Sequence, residues 1–226
     1  VGISGHTQGV YLREVQPMAA AASEAHWDTA NPADFSVVAI FDSTGKNEIW
    51  SLKIPKVLSL LYYFKLEGEV EGINNIQAQY TELYGPGDYV PVVAIAYWTF
   101  RIMVGLGTLM VALTAGALYL PWRKWPEKLN RWVKWGVWLI PLPYLANTAG
   151  WVLTETGRQP WIVHGLLKTE NAVSPLSPGM VLTSLVGFVL VYGILMSVDI
   201  KLLAKYAKAG LPAVEAGSTA PEKFGF

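Results

Sequence analysis

The chain has 226 residues, of which 52% are hydrophobic and ten are tryptophan, and its mean hydropathy is +0.32. That is too apolar for an ordinary soluble domain and points to the membrane class. The 17 basic and 17 acidic residues cancel, and residues 1–90 carry 11 Asp/Glu against 5 Lys/Arg, so nothing suggests nucleic-acid binding. The absence of cysteine excludes disulfides, thiolate metal sites and iron–sulfur clusters.

The chain starts at Val1 with no initiator methionine and no positively charged leader, so it reads as a fragment or as the downstream part of a larger chain. No window in residues 1–90 approaches the roughly 18–20 apolar residues that span a bilayer, which makes this an extramembrane segment. Leu12, Val15, Met18, Ala22 and Ala25 recur at helical spacing and predict an amphipathic helix ending near Trp27. Asn31-Pro32 marks a break. Ile54-Pro55 opens a second amphipathic stretch, 57–64, too short to span; it would lie on the membrane surface or cap a bundle. Gly68 to Gly72 turns the chain, and Ile73 to Tyr84 predicts a third, weaker helix ended by Gly85-Pro86-Gly87.

Three spanning segments are expected next. The first is the apolar run 91–120, interrupted by Arg101; the second is 135–155, with Pro141 and Pro143; the third is 180–198, closed by Asp199 and Lys201. The fold expected is therefore an all-α membrane protein, with three transmembrane helices (91–204), an extracytoplasmic and partly helical N-terminal segment (1–90), and a cytoplasmic polar tail (205–226). Basic residues set the orientation. Arg123, Lys124, Lys128, Arg131 and Lys134 follow the first span, and Lys201, Lys205 and Lys208 follow the third, which places the 121–134 loop and the C-terminus inside and residues 1–90 outside. Trp98, Trp122, Trp125, Trp132, Trp135 and Trp161 fit interfacial belts.

Two clusters could carry chemistry. In Trp151-Val-Leu-Thr-Glu155-Thr-Gly-Arg158-Gln-Pro-Trp161, Trp151 and Glu155 share a helix face with Asn147, and Gly157 and Pro160 end the helix. An ionisable residue at this depth is a functional-site hypothesis; the plain alternative is an interfacial Glu155–Arg158 pair anchoring a helix end. In the first span, Arg101 needs an anionic partner, because a bare charge there costs several kcal/mol. Met103 is by itself an ordinary packing or lipid-facing residue. Gly105 and Gly107 let something flat or another backbone come close. The three histidines, His6, His26 and His164, read as surface or hydrogen-bonding residues.

Gly157-Arg-Gln-Pro-Trp161 preceded by Trp151 and Glu155 resembles the signature of subunit I of cytochrome bd quinol oxidases. Trp98-Thr-Phe-Arg101-Ile-Met103-Val-Gly, and Gln16-Pro-Met followed by Ser23-Glu24-Ala, resemble further motifs of that family in the same order. The likeness covers the C-terminal half of the family's subunit. It implies quinol oxidation on the outer face, coupled to reduction of dioxygen to water and generation of membrane potential. Met103 would be an axial ligand of a low-spin haem b, with Arg101 near haem propionates. Glu155 would be the carboxylate ligand of a high-spin haem b, with Trp151 packed between haems and Arg158 near propionates. The partner histidine of the Met103 haem and the ligand of haem d would lie in the absent N-terminal half, and no copper is implied.

By the same likeness Gln16 and Glu24 form the outer quinol site, with Glu24 accepting a proton; a solvated helix face is the alternative. Ala19 stands where the family usually has lysine, and Lys56 where it usually has tyrosine after Ile-Pro. Implied partners are the N-terminal half, oxidase subunit II, a small single-helix subunit, ubiquinol or menaquinol, dioxygen and the bilayer of the bacterial cytoplasmic membrane. Two other readings are a non-catalytic quinone- or haem-binding scaffold and a transporter-like bundle using Arg101 and Glu155. The lack of any internal repeat weighs against the transporter.

Overall fold

The computed structural model describes residues 2–119 and 134–209. The basic loop after the first span, including Trp122, Trp125 and Trp132, and the tail from residue 210 lie outside the described residues. The chain divides into two units, Val1–Val173 and Ser174–Phe226.

In the first unit the N-terminal segment is two helices rather than one. Helix α1 (Gly2–Val15) stops at Gln16, and α2 (Pro17–Glu24) starts afresh with proline in its first turn. Proline supplies no backbone N–H and cannot continue a helix, but its fixed φ suits a helix start. Helix α2 is not amphipathic either: Met18 through Glu24 are all buried, and the alanine run lets neighbouring elements approach on every side. Ala25 closes it in the left-handed conformation, donating its N–H to Ala22 O, while His26 N–H bonds Ala21 O.

The next stretch carries strands that the helical reading did not include. Strand β1 (Phe35–Phe41) pairs antiparallel with β2 (Glu48–Ile54), and β-branched and aromatic residues dominate both. The connecting turn is organised by Asp42, whose carboxylate accepts from Thr44 Oγ1, the Asn47 side-chain amide and the backbone N–H groups of Lys46 and Asn47. These bonds, first those from the Asn47 and Thr44 side chains, pull its pKa down to about 2. Helix α3 (Val57–Tyr63) and helix α4 (Ile73–Tyr84) fall where the sequence predicts them. Glycine is required at 72, because a β-carbon there would stand 2.4 Å from the Trp27 carbonyl oxygen.

Ser59 ties these loops together. Its fully buried hydroxyl accepts from Ala33 N–H at 2.8 Å and donates to Gly68 O at 2.7 Å. Ser59→Ala strands a buried amide and a partly buried carbonyl, so we expect a loss of about 2 kcal/mol, read as a lowered unfolding temperature of the assembled protein with Ser59→Thr as the milder comparison.

Helix α5 (Val93–Tyr119) has 27 residues and is long and apolar enough to cross a membrane. The segment expected as a second span is divided by its prolines into a 3-10 helix (Lys134–Leu139) and α6 (Leu142–Gly157), which packs along α5. The 16 residues of α6 rise about 24 Å, less than a hydrocarbon core of about 30 Å. After α6 the chain makes a second small hairpin, β3 (Trp161–Val163) with β4 (Leu167–Lys168), and a 3-10 turn (Thr169–Asn171). The main core joins α2, α4 and the first two turns of α5: Met18, Ala22, Ile73, Ile76, Tyr80, Tyr89, Val93 and Tyr97 are all buried there.

Among the described residues the second unit is helix α7 (Pro178–Ala209), 32 residues, which is also long and apolar enough to cross a membrane. It buries no residue within the described structure and is apolar all round, the pattern of a helix whose surroundings are lipid or further protein.

Candidate functional site

The N-terminal end of α5 and the C-terminal end of α6 both meet α2. Arg101 on α5 bonds α2 at Ser23 and Glu24, and Gly157 at the end of α6 lies against Ala19. The two long helices therefore run antiparallel, and their motif residues gather at the end that the outer segment covers.

At the centre is a buried ion pair. Arg101 Nη2 lies 2.8 Å from Glu24 Oε2, with side-chain exposures of 14% and 6%. The guanidinium also donates from Nη1 to Ser23 O at 3.2 Å and from Nη2 to Ser36 O at 2.5 Å. It lies over the rings of Tyr97 and Phe35, with its carbon 4.3 and 4.7 Å from their centroids. Tyr97 itself is fully buried and bonds both the hydroxyl and the carbonyl of Ser36. Burial pushes the Glu24 carboxyl up from its ordinary range, and the charge and hydrogen bond of Arg101 oppose that shift. The anionic partner that Arg101 requires is thus a protein carboxylate from the outer segment, and Glu24 is not on a solvated face.

Sequence reasoning missed Ser36 and Tyr97. Tyr97 stands four residues before Arg101 on one helix face, a spacing that could have flagged it. Ser36 had no signal, because its part is played by a β-strand carbonyl.

Two residues further along α5, Met103 points to α6. A β-carbon on Gly150 would stand 2.8 Å from Met103 Sδ, so the thioether occupies the space that glycine leaves open. At the C-terminal end of α6, Glu155 and the capping residue Arg158 form an ion pair three residues apart, each side chain a little over a third exposed. Trp151, one turn back, is 63% exposed. The Glu155–Arg158 pair is therefore formed, at a helix end whose Trp151 is left uncovered. Buried Nε atoms of both Arg101 and Arg158 have no hydrogen-bond partner among the described residues.

Gln16 stands apart from Glu24. It lines a cavity of about 10 Å³ with Ala19, Gly157, Gln159 and Trp161, too small for more than a water. Trp161 belongs here and not to an interfacial belt: it is 5% exposed and stacks on Tyr89 with centroids 5.7 Å apart. His164 bonds Tyr80 Oη at 3.0 Å and His26 bonds Val70 O at 3.1 Å, so both act as hydrogen-bonding residues. Burial lowers the pKa of each.

A pair of antiparallel apolar helices thus carries a methionine, a carboxylate and two arginines at one end, under an outer segment. The family model for cytochrome bd terminal oxidase subunit I matches residues 1–211. The chain belongs to that family. It is 42% identical over 212 residues to cytochrome bd ubiquinol oxidase subunit 1 of Bacillus subtilis, covering 93% of this chain and 45% of that protein. It is 30% identical to cytochrome bd-II ubiquinol oxidase subunit 1 of Escherichia coli, covering 93% and 52%. Among solved structures it resembles the bd oxidase of Geobacillus thermodenitrificans, with a TM-score of 0.69 and 30% identity over 93% of this chain and 46% of that one. The chain spans about half the length of the relatives it matches.

Proposed function

We propose that this chain supplies the quinol-facing, haem-holding C-terminal half of subunit I in a bd-type terminal oxidase. In the complete enzyme two quinols lose four electrons and four protons, and one dioxygen becomes two waters. The observation that carries the reading is the convergence of Arg101, Met103, Glu155 and Arg158 at one end of the α5–α6 pair, beneath Glu24.

The residues fit haem. Met103 offers a thioether in the α5–α6 seam, Glu155 a partly exposed carboxylate beside the open face of Trp151, and Arg101 and Arg158 each keep an unpartnered buried Nε for a propionate. Met103 would hold a low-spin haem b and Glu155 a high-spin haem b. The histidine ligands and the haem d site would lie in the N-terminal half. Bound haem iron would supply one-electron transfer and oxygen reduction. This chain's residues do the rest: the arginines place negative groups, the thioether and carboxylate set ligand character, and Glu24 accepts a proton from quinol.

The 3-10 helix and α6 together, at about 2 and 1.5 Å per residue, rise roughly 36 Å and would complete a third span. The protein would sit in the bacterial cytoplasmic membrane with residues 1–90 outside and the C-terminus inside. Its partners would be the N-terminal half, subunit II, a small single-helix subunit, and ubiquinol or menaquinol.

The test is spectroscopic. In the purified assembled oxidase, Met103→Ala should lose the low-spin b signal while the protein still inserts. A retained low-spin signal would overturn the assignment of Met103.

A further inference from the structure

Aromatic side chains gather where α4 meets the loop that follows α6. Neighbouring rings of Trp161, Tyr89, Tyr84, Tyr80 and His164 have centroids 4.8 to 6.1 Å apart, the spacing of rings in direct contact. Trp161 stands three residues after Arg158, and both line one small cavity with Tyr80, Tyr89 and His164. Tyr84 lies at the other edge, 37% exposed. The rings therefore run without a break from the Glu155–Arg158 end of α6 to the surface of the outer segment. Core packing explains their apolar contacts. It does not explain how their hydroxyls are partnered.

Those partners differ. Tyr89 Oη donates to Gly85 O at 3.0 Å and accepts from Lys168 Nζ at 3.1 Å, whose charge lies 4.6 Å from the ring centroid. A carbonyl is no base, and a cation over a ring resists any further positive charge on it. Trp161 Nε1 is buried with no hydrogen-bond partner among the described residues. Tyr80 faces a base instead: its Oη lies 3.0 Å from His164 Nε2 and also accepts the Met18 backbone N–H. That amide is in the first turn of α2, where backbone donors have no helical partner. With the phenol oxygen accepting there, its own proton points to the imidazole, within the roughly 2.6–3.2 Å that proton transfer requires. Burial raises the Tyr80 pKa to about 12 and lowers that of His164. At neutral pH the pair is thus a protonated phenol against a neutral imidazole.

We propose that Tyr80 and His164 form a redox-active pair that takes up an oxidising equivalent escaping from the oxygen chemistry. The inference rests on the oxidase reading, in which that chemistry supplies a strong, peroxide-derived one-electron oxidant. Tyr80 gives one electron to the oxidant by way of Tyr89 and Trp161. Its O–H bond breaks and the proton passes to His164 Nε2, leaving a neutral phenoxyl radical and an imidazolium. One electron supplied by quinol, with the proton returned from His164, restores the phenol. Trp161 and Tyr89 pass the equivalent on, since neither has a base to take its proton. Tyr80 keeps it, at 5% exposure, away from solvent.

The test mixes the purified, oxidised, fully assembled enzyme with hydrogen peroxide and freezes it for electron paramagnetic resonance. The parent should show a tyrosyl radical, and Tyr80→Phe, which keeps the ring and its packing, should lose it. His164→Gln retains a hydrogen-bond partner but no base, and should lose most of the signal. Trp161→Phe should lower the yield by breaking the path, with the tyrosyl line shape unchanged. The haem spectrum is the control and should be retained in all three variants. A radical of undiminished size in Tyr80→Phe or in His164→Gln would overturn the pair. So would a parent that holds its haems and forms no radical. A parent with no haem would instead defeat the oxidase reading, and this pair with it.

Discussion

Arg101→Ala should destabilise the assembled protein by about 3–5 kcal/mol, the usual consequence of stripping one partner from a buried ion pair. The substitution removes the cation facing Glu24, the donors to Ser23 O and Ser36 O, and the contacts over Tyr97 and Phe35. These contacts join α2, β1 and α5, so the outer segment should loosen before the long helices do. The penalty should grow with pH, because at low pH the isolated Glu24 takes up a proton instead of remaining charged in a dry site. Arg101→Leu with Glu24→Leu should recover much of the loss, since two apolar side chains leave no bare charge. A double-mutant cycle on unfolding temperature measures this, and additive losses would contradict the pairing.

Glu24→Gln should lower quinol turnover by roughly 10²-fold or more, the usual contribution of a general base, while leaving the haem spectrum; stability falls as well, because the buried Arg101 cation loses its counter-charge. Glutamine still accepts a hydrogen bond from Arg101, so the packing of α2 survives. A pH effect comes with it. Burial raises the Glu24 pKa above 4.5, so between that value and the folded one the native state binds more protons than the unfolded state. Stability in that window therefore falls as pH rises. Below pH 4.5 the carboxyl is protonated in both states and contributes no slope. Glu24→Gln should remove this component of the pH dependence of the unfolding temperature. An unchanged slope would place the titration elsewhere, and unchanged turnover would exclude Glu24 as the proton acceptor.

Much of the fold was legible where local rules decide it. The 73–84 helix, the short 57–63 helix and the long helices α5 and α7 follow from apolar periodicity, run length and flanking Gly and Pro. Pro17 was present in the sequence as a signal for two helices, yet the run of apolar spacings across it suggested one. The β1–β2 hairpin was also readable: Val37, Val38 and Ile40, then the Asp42–Asn47 turn, then Ile49 to Ile54, have the composition of strands.

The site was legible residue by residue but not in its pairing. Glu24, Arg101, Met103, Glu155 and Arg158 were each singled out from their motifs. That Arg101 holds Glu24, and that Gln16 stands before α2 and lines a separate small cavity, depends on contacts across 77 residues of sequence and on where one short helix begins.

The most direct test of the account is a reduced-minus-oxidised haem spectrum of membranes containing this chain with its N-terminal half and second subunit, with and without Glu155→Ala. The account predicts b-type and d-type signals in the parent and selective loss of the high-spin b component in the variant. Stable insertion of the assembled chains with no haem signal, or a high-spin component indifferent to Glu155, would contradict it.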